Sequence, residues 1–97
     1  MTPSKTEYLI LDLLRAGGEL YGLELVHRSD GALKRGTVYV TLGRMVEKKY
    51  LTAEEEKEPS HPGLPRKRYR ITGLGQAVMN AEDARRAALG SAGYGYA

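Results

Sequence analysis

The 97-residue sequence contains no cysteine, no tryptophan and no phenylalanine. The absence of cysteine excludes a disulfide framework, a thiol nucleophile and a thiolate-bound metal. Without Phe or Trp the apolar content is aliphatic plus seven tyrosines, and tyrosine carries a polar tip that suits edges and interfaces. No apolar run approaches the roughly 20 residues of a membrane span. The opening stretch MTPSKTEYLILDLL lacks the basic start and small-residue cleavage site of a secretory signal, and Asp12 interrupts its apolar run. A cytoplasmic location is the expectation. There is no Gly-rich phosphate loop, nucleophile elbow or catalytic triad, so an enzyme is not expected. His27 and His61 stand far apart with no third ligand at metal spacing, so neither a metal nor another cofactor is expected. The acidic run from Glu54 to Glu58 fits a solvated segment better than a general acid/base pair, because nothing marks a pocket that would shift its pKa.

What is present fits one domain with a modest core. Lys and Arg number 15 against 12 Asp and Glu, giving a net charge of +3 and a pI near 9.3. That balance points weakly to an anionic partner.

The organising stretch is Arg35 to Lys49, RGTVYVTLGRMVEKK. Val38, Leu42, Met45 and Val46 fall at helical spacing and make an apolar stripe. Thr37, Thr41, Arg44 and Lys48 repeat on another face, which is polar, mildly basic and partly built from short side chains. Taken alone, such a helix fits plain surface packing. Its polar face would equally suit a DNA major groove, and the neighbouring segments decide between the two.

Ser4-Lys5-Thr6-Glu7 has capping-box form and opens a helix over residues 5–16, which Gly17-Gly18 stops. Ile10, Leu13 and Leu14 give its core face, flanked by Tyr8, Leu9 and Leu11. That apolar arc is wider than one core requires and suggests a second packing partner, such as another subunit. Leu20 to Ser29 is expected as a second short helix, and Ser29-Asp30-Gly31 as a turn. With the organising helix opening at Lys34 or Arg35, these make a helix-turn-helix.

The period then changes. Tyr50 to Ala53 opens a strand, Pro59, Pro62, Gly63 and Pro65 punctuate a loop, and Arg66 to Thr72 forms a second strand. Side chains alternate along a strand, so Arg66, Arg68 and Arg70 line one face while Lys67, Tyr69 and Ile71 line the other. The hairpin is a wing of about 20 residues. Its basic strand suits the adjacent minor groove or its phosphates. It could equally pair across the hairpin with the Glu54 to Glu56 run. Thr72 caps a last helix over residues 72–89. Leu74, Ala77, Val78, Ala81, Ala84 and Ala88 form its stripe of mainly small residues, suited to close helix–helix packing, between subunits or internally. Residues 90–97, GSAGYGYA, show no periodicity and are expected to be a flexible tail. The fold class is therefore α+β, mainly α. It is a winged helix-turn-helix with a three-helix core, a two-stranded wing and a C-terminal helix, all within residues 1–89.

At four places the wording resembles the PadR family of bacterial transcriptional regulators. Leu20-Tyr21-Gly22-Leu23-Glu24-Leu25 resembles the family's Tyr-Gly-x-Glu segment. Gly36-Thr37-Val38-Tyr39 followed by Leu42 resembles its Gly-Thr-x-Tyr-x-x-Leu recognition-helix motif. Arg68-Tyr69-Arg70-Ile71-Thr72 resembles its wing-exit strand, and Thr72 with Gly75 resembles its Thr-x-x-Gly entry to the last helix. Each motif alone is weak; four in order are specific. Two departures stand out. Lys49-Tyr50 fills the place where the family's recognition helix usually ends at Gly, and little chain follows Leu89, where many relatives carry further helices.

The resemblance implies a homodimeric regulator, a repressor in kind, that binds a palindromic operator in double-stranded DNA. The dimer would form through the first and last helices, with a small-molecule effector at their interface. Thr37, Thr41 and Arg44 are the expected base readers, with Arg44 near enough the helix end to reach phosphate instead. Lys5, Lys34, Arg35, Tyr39, Arg66, Lys67 and Arg68 are the expected phosphate contacts. The competing expectation is a winged-helix module that binds protein and not DNA, favoured by the modest net charge and the acidic run beside the wing.

Overall fold

Helix α1 (Lys5–Gly17) begins at its capping box: Ser4 Oγ accepts from the Glu7 N–H at 3.1 Å, and Glu7 Oε1 accepts from the Ser4 N–H at 2.9 Å. It stops at Gly18, whose φ of +79° favours glycine. The computed structural model describes residues 2–56 and 66–94, with 91–94 described by backbone alone. Ile10, Leu11 and Leu14 of α1 are buried, whereas Tyr8, Leu9 and Leu13 are half-buried against the same core. The core face is thus turned slightly from the expected one, with Leu11 taking the inner place and Leu13 the flank.

The segment expected as one helix from Leu20 divides. Leu20–Tyr21 forms a short strand, β1, and α2 occupies Gly22–Arg28. The division follows from the hydrogen bonds on offer. The Glu24 carboxylate accepts from the Tyr21 N–H at 2.9 Å and caps the helix there, while Leu20 and Tyr21 pair with Tyr69 and Arg68 of a later strand. Leu20 is still buried.

The turn after α2 is built around Ser29. Its hydroxyl donates to the Val26 carbonyl at 2.7 Å and accepts from the Leu33 N–H at 2.9 Å. Asp30 and Gly31 follow with φ of +52° and +91°, and Leu33 plugs the core. Helix α3 (Arg35–Glu47) then buries Val38, Leu42 and Met45.

At the end of α3, Lys49 adopts φ +69°. The Tyr50 N–H donates to the Met45 carbonyl and the Lys49 N–H to the Val46 carbonyl. This is a Schellman closure with lysine in the left-handed place that glycine usually fills. The lysine accepts the strain of that place.

Strand β2 (Leu51–Glu55) pairs antiparallel with β3 (Lys67–Ile71), from Leu51 opposite Ile71 to Glu55 opposite Lys67. β1 adds to the other edge of β3, so the sheet has three strands in the order β1-β3-β2 instead of the expected two. Glu54 and Glu55 lie within β2 as exposed strand residues, not in the loop. The Pro- and Gly-containing loop with His61 lies outside the described residues.

Thr72 caps α4 (Gly73–Tyr94) by accepting from the Gly75 N–H at 2.9 Å. Gly75, Val78, Met79 and Glu82 are buried. The expected small-residue stripe splits: Val78 joins the core, while Leu74, Ala77, Ala81, Ala84 and Ala88 are exposed. The helix carries on past Leu89 to Tyr94, so the tail boundary expected at residue 90 moves, and residues 95–97 lie outside the described ones. α4 is held to α1 by polar contacts, the Tyr8 hydroxyl and Arg15 Nη1 both donating to Asp83. The Arg86 guanidinium lies 3.7 Å from the Tyr8 ring centroid. Three helices, a hairpin wing and a closing helix around one core make a winged helix-turn-helix, as expected. No described helix is long and apolar enough to cross a membrane.

Candidate nucleic-acid interface

With Val38, Leu42 and Met45 buried, the position of every other α3 side chain follows from the helical repeat. At about 100° per residue, Val40 stands opposite the buried face. It is 56% exposed. Thr37 and Arg44, both exposed, flank it on one side, and Gly36 and Gly43 on the other. The polar face expected from Thr37, Thr41, Arg44 and Lys48 is centred about 70° away from this outer pole. Two of its members are consequently drawn aside. Thr41 is half-buried, with its hydroxyl turned to the Thr37 carbonyl at 3.5 Å. Lys48 Nζ lies 2.7 Å from Glu7 Oε2, bridging α3 to α1.

That bridge shapes the titration of Glu7. Burial pushes its carboxyl up, but hydrogen bonds from Lys48 and Ser4 outweigh this and hold it below the usual carboxylate range. The Lys48 ammonium is pushed up by the same hydrogen bond, against some desolvation.

Lys34 and Arg35 stand exposed at the N-terminus of α3, where Lys34 is the N-cap residue without a side-chain cap. Neither they nor Arg44 form an ion pair among the described residues. The free N–H groups of the first turn and the helix dipole add to that positive end.

Tyr39 lies on the side of α3 that faces α2. Its ring occupies the space beside Gly22, where a Cβ would stand 2.5 Å from Tyr39 Cε1. This contact joins the Tyr-Gly-x-Glu segment to the recognition-helix motif, and it explains why the first needs glycine there. Tyr39 also lines a cleft of about 640 Å³ with Tyr21, Leu23, Tyr69, Arg66 and Lys67. The cleft separates α3 from the wing.

On the wing, Arg66, Arg68 and Arg70 are exposed and Tyr69 is buried, as the alternation requires, while Lys67 is exposed although it shares the Tyr69 face. Arg66 and Arg68 stack over the Tyr21 ring at 5.1 and 5.8 Å from its centroid. Burial raises the Tyr69 hydroxyl pKa. The register sets Glu54 opposite Arg68 and Glu55 opposite Lys67. The ion pairs nevertheless go elsewhere: Arg70 reaches Glu19 at 2.5 Å and Arg68 lies 3.9 Å from the same carboxylate. Glu19 precedes β1, so its role depends on a strand pairing that no local pattern announces.

Lys5 stands apart from this group. It is exposed in a groove between α1 and α4 with Tyr8, Asp12, Glu82, Arg85 and Arg86. Arg35, Thr37 and Arg44 share one helix with Tyr39, Lys34 caps its start, and the cleft brings Tyr39 to Arg66 and Lys67. Sequence reasoning missed Val40, Gly43 and Glu19. The first two were recoverable by taking the pole opposite Val38, Leu42 and Met45, instead of the most polar face.

The sequence matches the transcriptional regulator PadR-like family over residues 10–81. Among solved structures, a PadR family transcription regulator from Clostridium difficile R20291 superposes with a TM-score of 0.81 at 23% identity, covering 96% of this chain and 98% of its own. A PadR-like transcription factor from Bacteroides fragilis gives 0.81 at 28% identity, covering 94% and 88%. The PcaV transcriptional regulator from Streptomyces coelicolor, solved with its natural ligand, gives 0.79 at 19% identity, covering 98% and 63%. A sequence comparison with curated proteins gave no match. The match spans the helix-turn-helix, the wing and the start of α4, and it takes in the motifs whose contacts are described above; the chain belongs to the PadR-like family of transcriptional regulators.

Proposed function

We propose that this protein is a homodimeric, sequence-specific regulator of transcription that works in the cytoplasm as a repressor on a palindromic operator. The observation that carries the proposal is the combination on α3: a buried inner face, an outer face of short side chains, and Lys34, Arg35 and Arg44 along it without an ion pair among the described residues. α3 enters the major groove, with Thr37 and Arg44 at base edges or the phosphates beside them, and Thr41 in a lesser, half-buried role. Lys34, Arg35 and Tyr39 hold phosphates. Arg66, Lys67 and Arg68 lie over the neighbouring minor groove. Lys5 contributes at most at long range, from its separate groove. The exposed α4 stripe of Leu74, Ala77, Ala81, Ala84 and Ala88 supplies the dimer contact together with α1. Two α3 helices about one DNA turn apart then read the two half-sites. The ligand-bound PcaV neighbour and the 640 Å³ cleft between α3 and wing support a small-molecule effector.

A second reading is a winged-helix module for protein contacts. Glu19 favours it, because it already neutralises part of the Arg68 and Arg70 charge. A salt series separates the two. Under the first reading, affinity for duplex DNA falls steeply as salt rises, through counterion release. Arg35→Ala and Arg66→Ala then each reduce the slope by about one unit. Weak binding with a flat salt response supports the second. Sedimentation checks the dimer, and Ala81→Glu on the α4 stripe is expected to yield monomer.

A further inference from the structure

Before Glu47 in the last turn, the outer pole of α3 is apolar, which a helix facing only water does not require. Val40 is the most exposed large apolar side chain of α3, at 56%. Of the other exposed large apolar residues, Leu23 and Tyr39 line the cleft, and Leu74 and Leu89 belong to α4. A single exposed valine is ordinary on a protein surface. Its flanks make this one different. Gly36 and Gly43 stand one turn before and one turn after it, and a Cβ built on either would meet nothing within 4 Å. Neither glycine has positive φ. Among the described residues no packing calls for glycine at either place, and each weakens the helix relative to alanine. A surface that must come close from outside does call for it.

We infer that Val40 is a specificity-determining residue that packs on the 5-methyl group of a thymine, and that Gly36 and Gly43 keep the helix surface beside it low enough for that approach. The inference rests on the proposed DNA-binding reading. In the major groove a thymine offers one apolar feature, its methyl group, and short apolar side chains are its natural partners. Thr37 and Arg44 flank Val40 and supply the polar contacts to neighbouring bases or phosphates. Glu47 shares the outer pole but sits at the last turn, away from the N-terminal part of the helix that approaches base edges.

The test uses the full chain and duplexes selected from a random pool by the wild-type protein. Each thymine of the selected site is replaced in turn by deoxyuridine, which keeps the base pair and removes only the methyl. Burial of one methyl group corresponds to about fourfold in affinity. The expected result is one thymine per half-site at which the wild type loses about that factor. Val40→Ala binds the unmodified site several-fold more weakly and shows no further loss with deoxyuridine there. The inference is overturned if no thymine shows methyl dependence, or if Val40→Ala keeps it. Enrichment of no sequence at all is a different failure, which removes the DNA-binding reading itself. Because deoxyuridine alters the DNA alone, the wild-type arm does not depend on the folding of any variant.

Discussion

The Thr72 hydroxyl donates to the carbonyl of Lys49 and accepts from the Gly75 N–H, so one side chain both caps α4 and secures the left-handed residue that ends α3. The Thr72 N–H reaches the next carbonyl, that of Tyr50, at 3.0 Å. The recognition helix and the closing helix are therefore tied at a single point. Lys49 is exposed and holds φ +69° at a cost of about 1 kcal/mol relative to glycine. Lys49→Gly should raise unfolding stability by about that amount, as a higher urea midpoint with unchanged slope.

Gly75 is needed for a different reason. A Cβ there would stand 2.1 Å from the Tyr50 carbonyl oxygen, and backbone cannot swing aside. Gly75→Ala should cost about 3 kcal/mol or more by displacing α4. Gly73→Ala, where a Cβ meets nothing within 4 Å, should change little. Thermal unfolding of the pair checks this, since equal losses would contradict the steric account.

Most of the fold was legible because its signals are local. The Ser4 capping box, the turn at Ser29-Asp30-Gly31 and the alternation around Tyr69 each act within a few residues. β1 was not legible, because Leu20 and Tyr21 are extended by partners on β3, almost fifty residues away. Glu19 was lost with it. On α3 the spacing of Val38, Leu42 and Met45 marks the inner face, but polarity is a poor guide to the outer one, because Val40 stands there and the most polar face lies to one side. Lys48 looked like part of that polar face, and only the approach of α1 shows it committed to Glu7.

Acid should destabilise the fold through carboxylates whose partners favour the charged form. Glu7 is held below its usual value once Lys48 and Ser4 outweigh its burial. Hydrogen bonds from Arg85 and then Arg86 hold Glu82 down to about 2. Each group binds its proton less readily folded than unfolded. The stability it contributes is therefore complete above the unfolded value near 4.5 and is lost as pH falls through that value toward the folded one. Urea midpoints measured from pH 7 to pH 3 should decline along this limb. Glu7→Gln should start lower at pH 7 and decline less. Parallel curves for wild type and variant would contradict the role given to the Lys48 bridge.

Gly43→Ala separates stability from function on one residue. The added Cβ meets open space and favours the helix by about 1 kcal/mol. Thermal stability should rise, while affinity for a selected DNA site should fall because the helix no longer approaches as closely. Higher stability with undiminished affinity would show that the outer pole does not face the groove closely.

The most direct test of the central claim is selection of bound sequences from random duplex DNA by the wild-type protein, repeated with Arg44→Ala and Arg68→Ala. If α3 reads DNA and the wing anchors it, a palindromic site emerges with half-sites about one DNA turn apart. Arg44→Ala then alters the preferred bases, and Arg68→Ala weakens binding to all sequences alike. If no sequence is enriched and binding stays weak at low salt, α3 is not a DNA-reading helix and the account is contradicted.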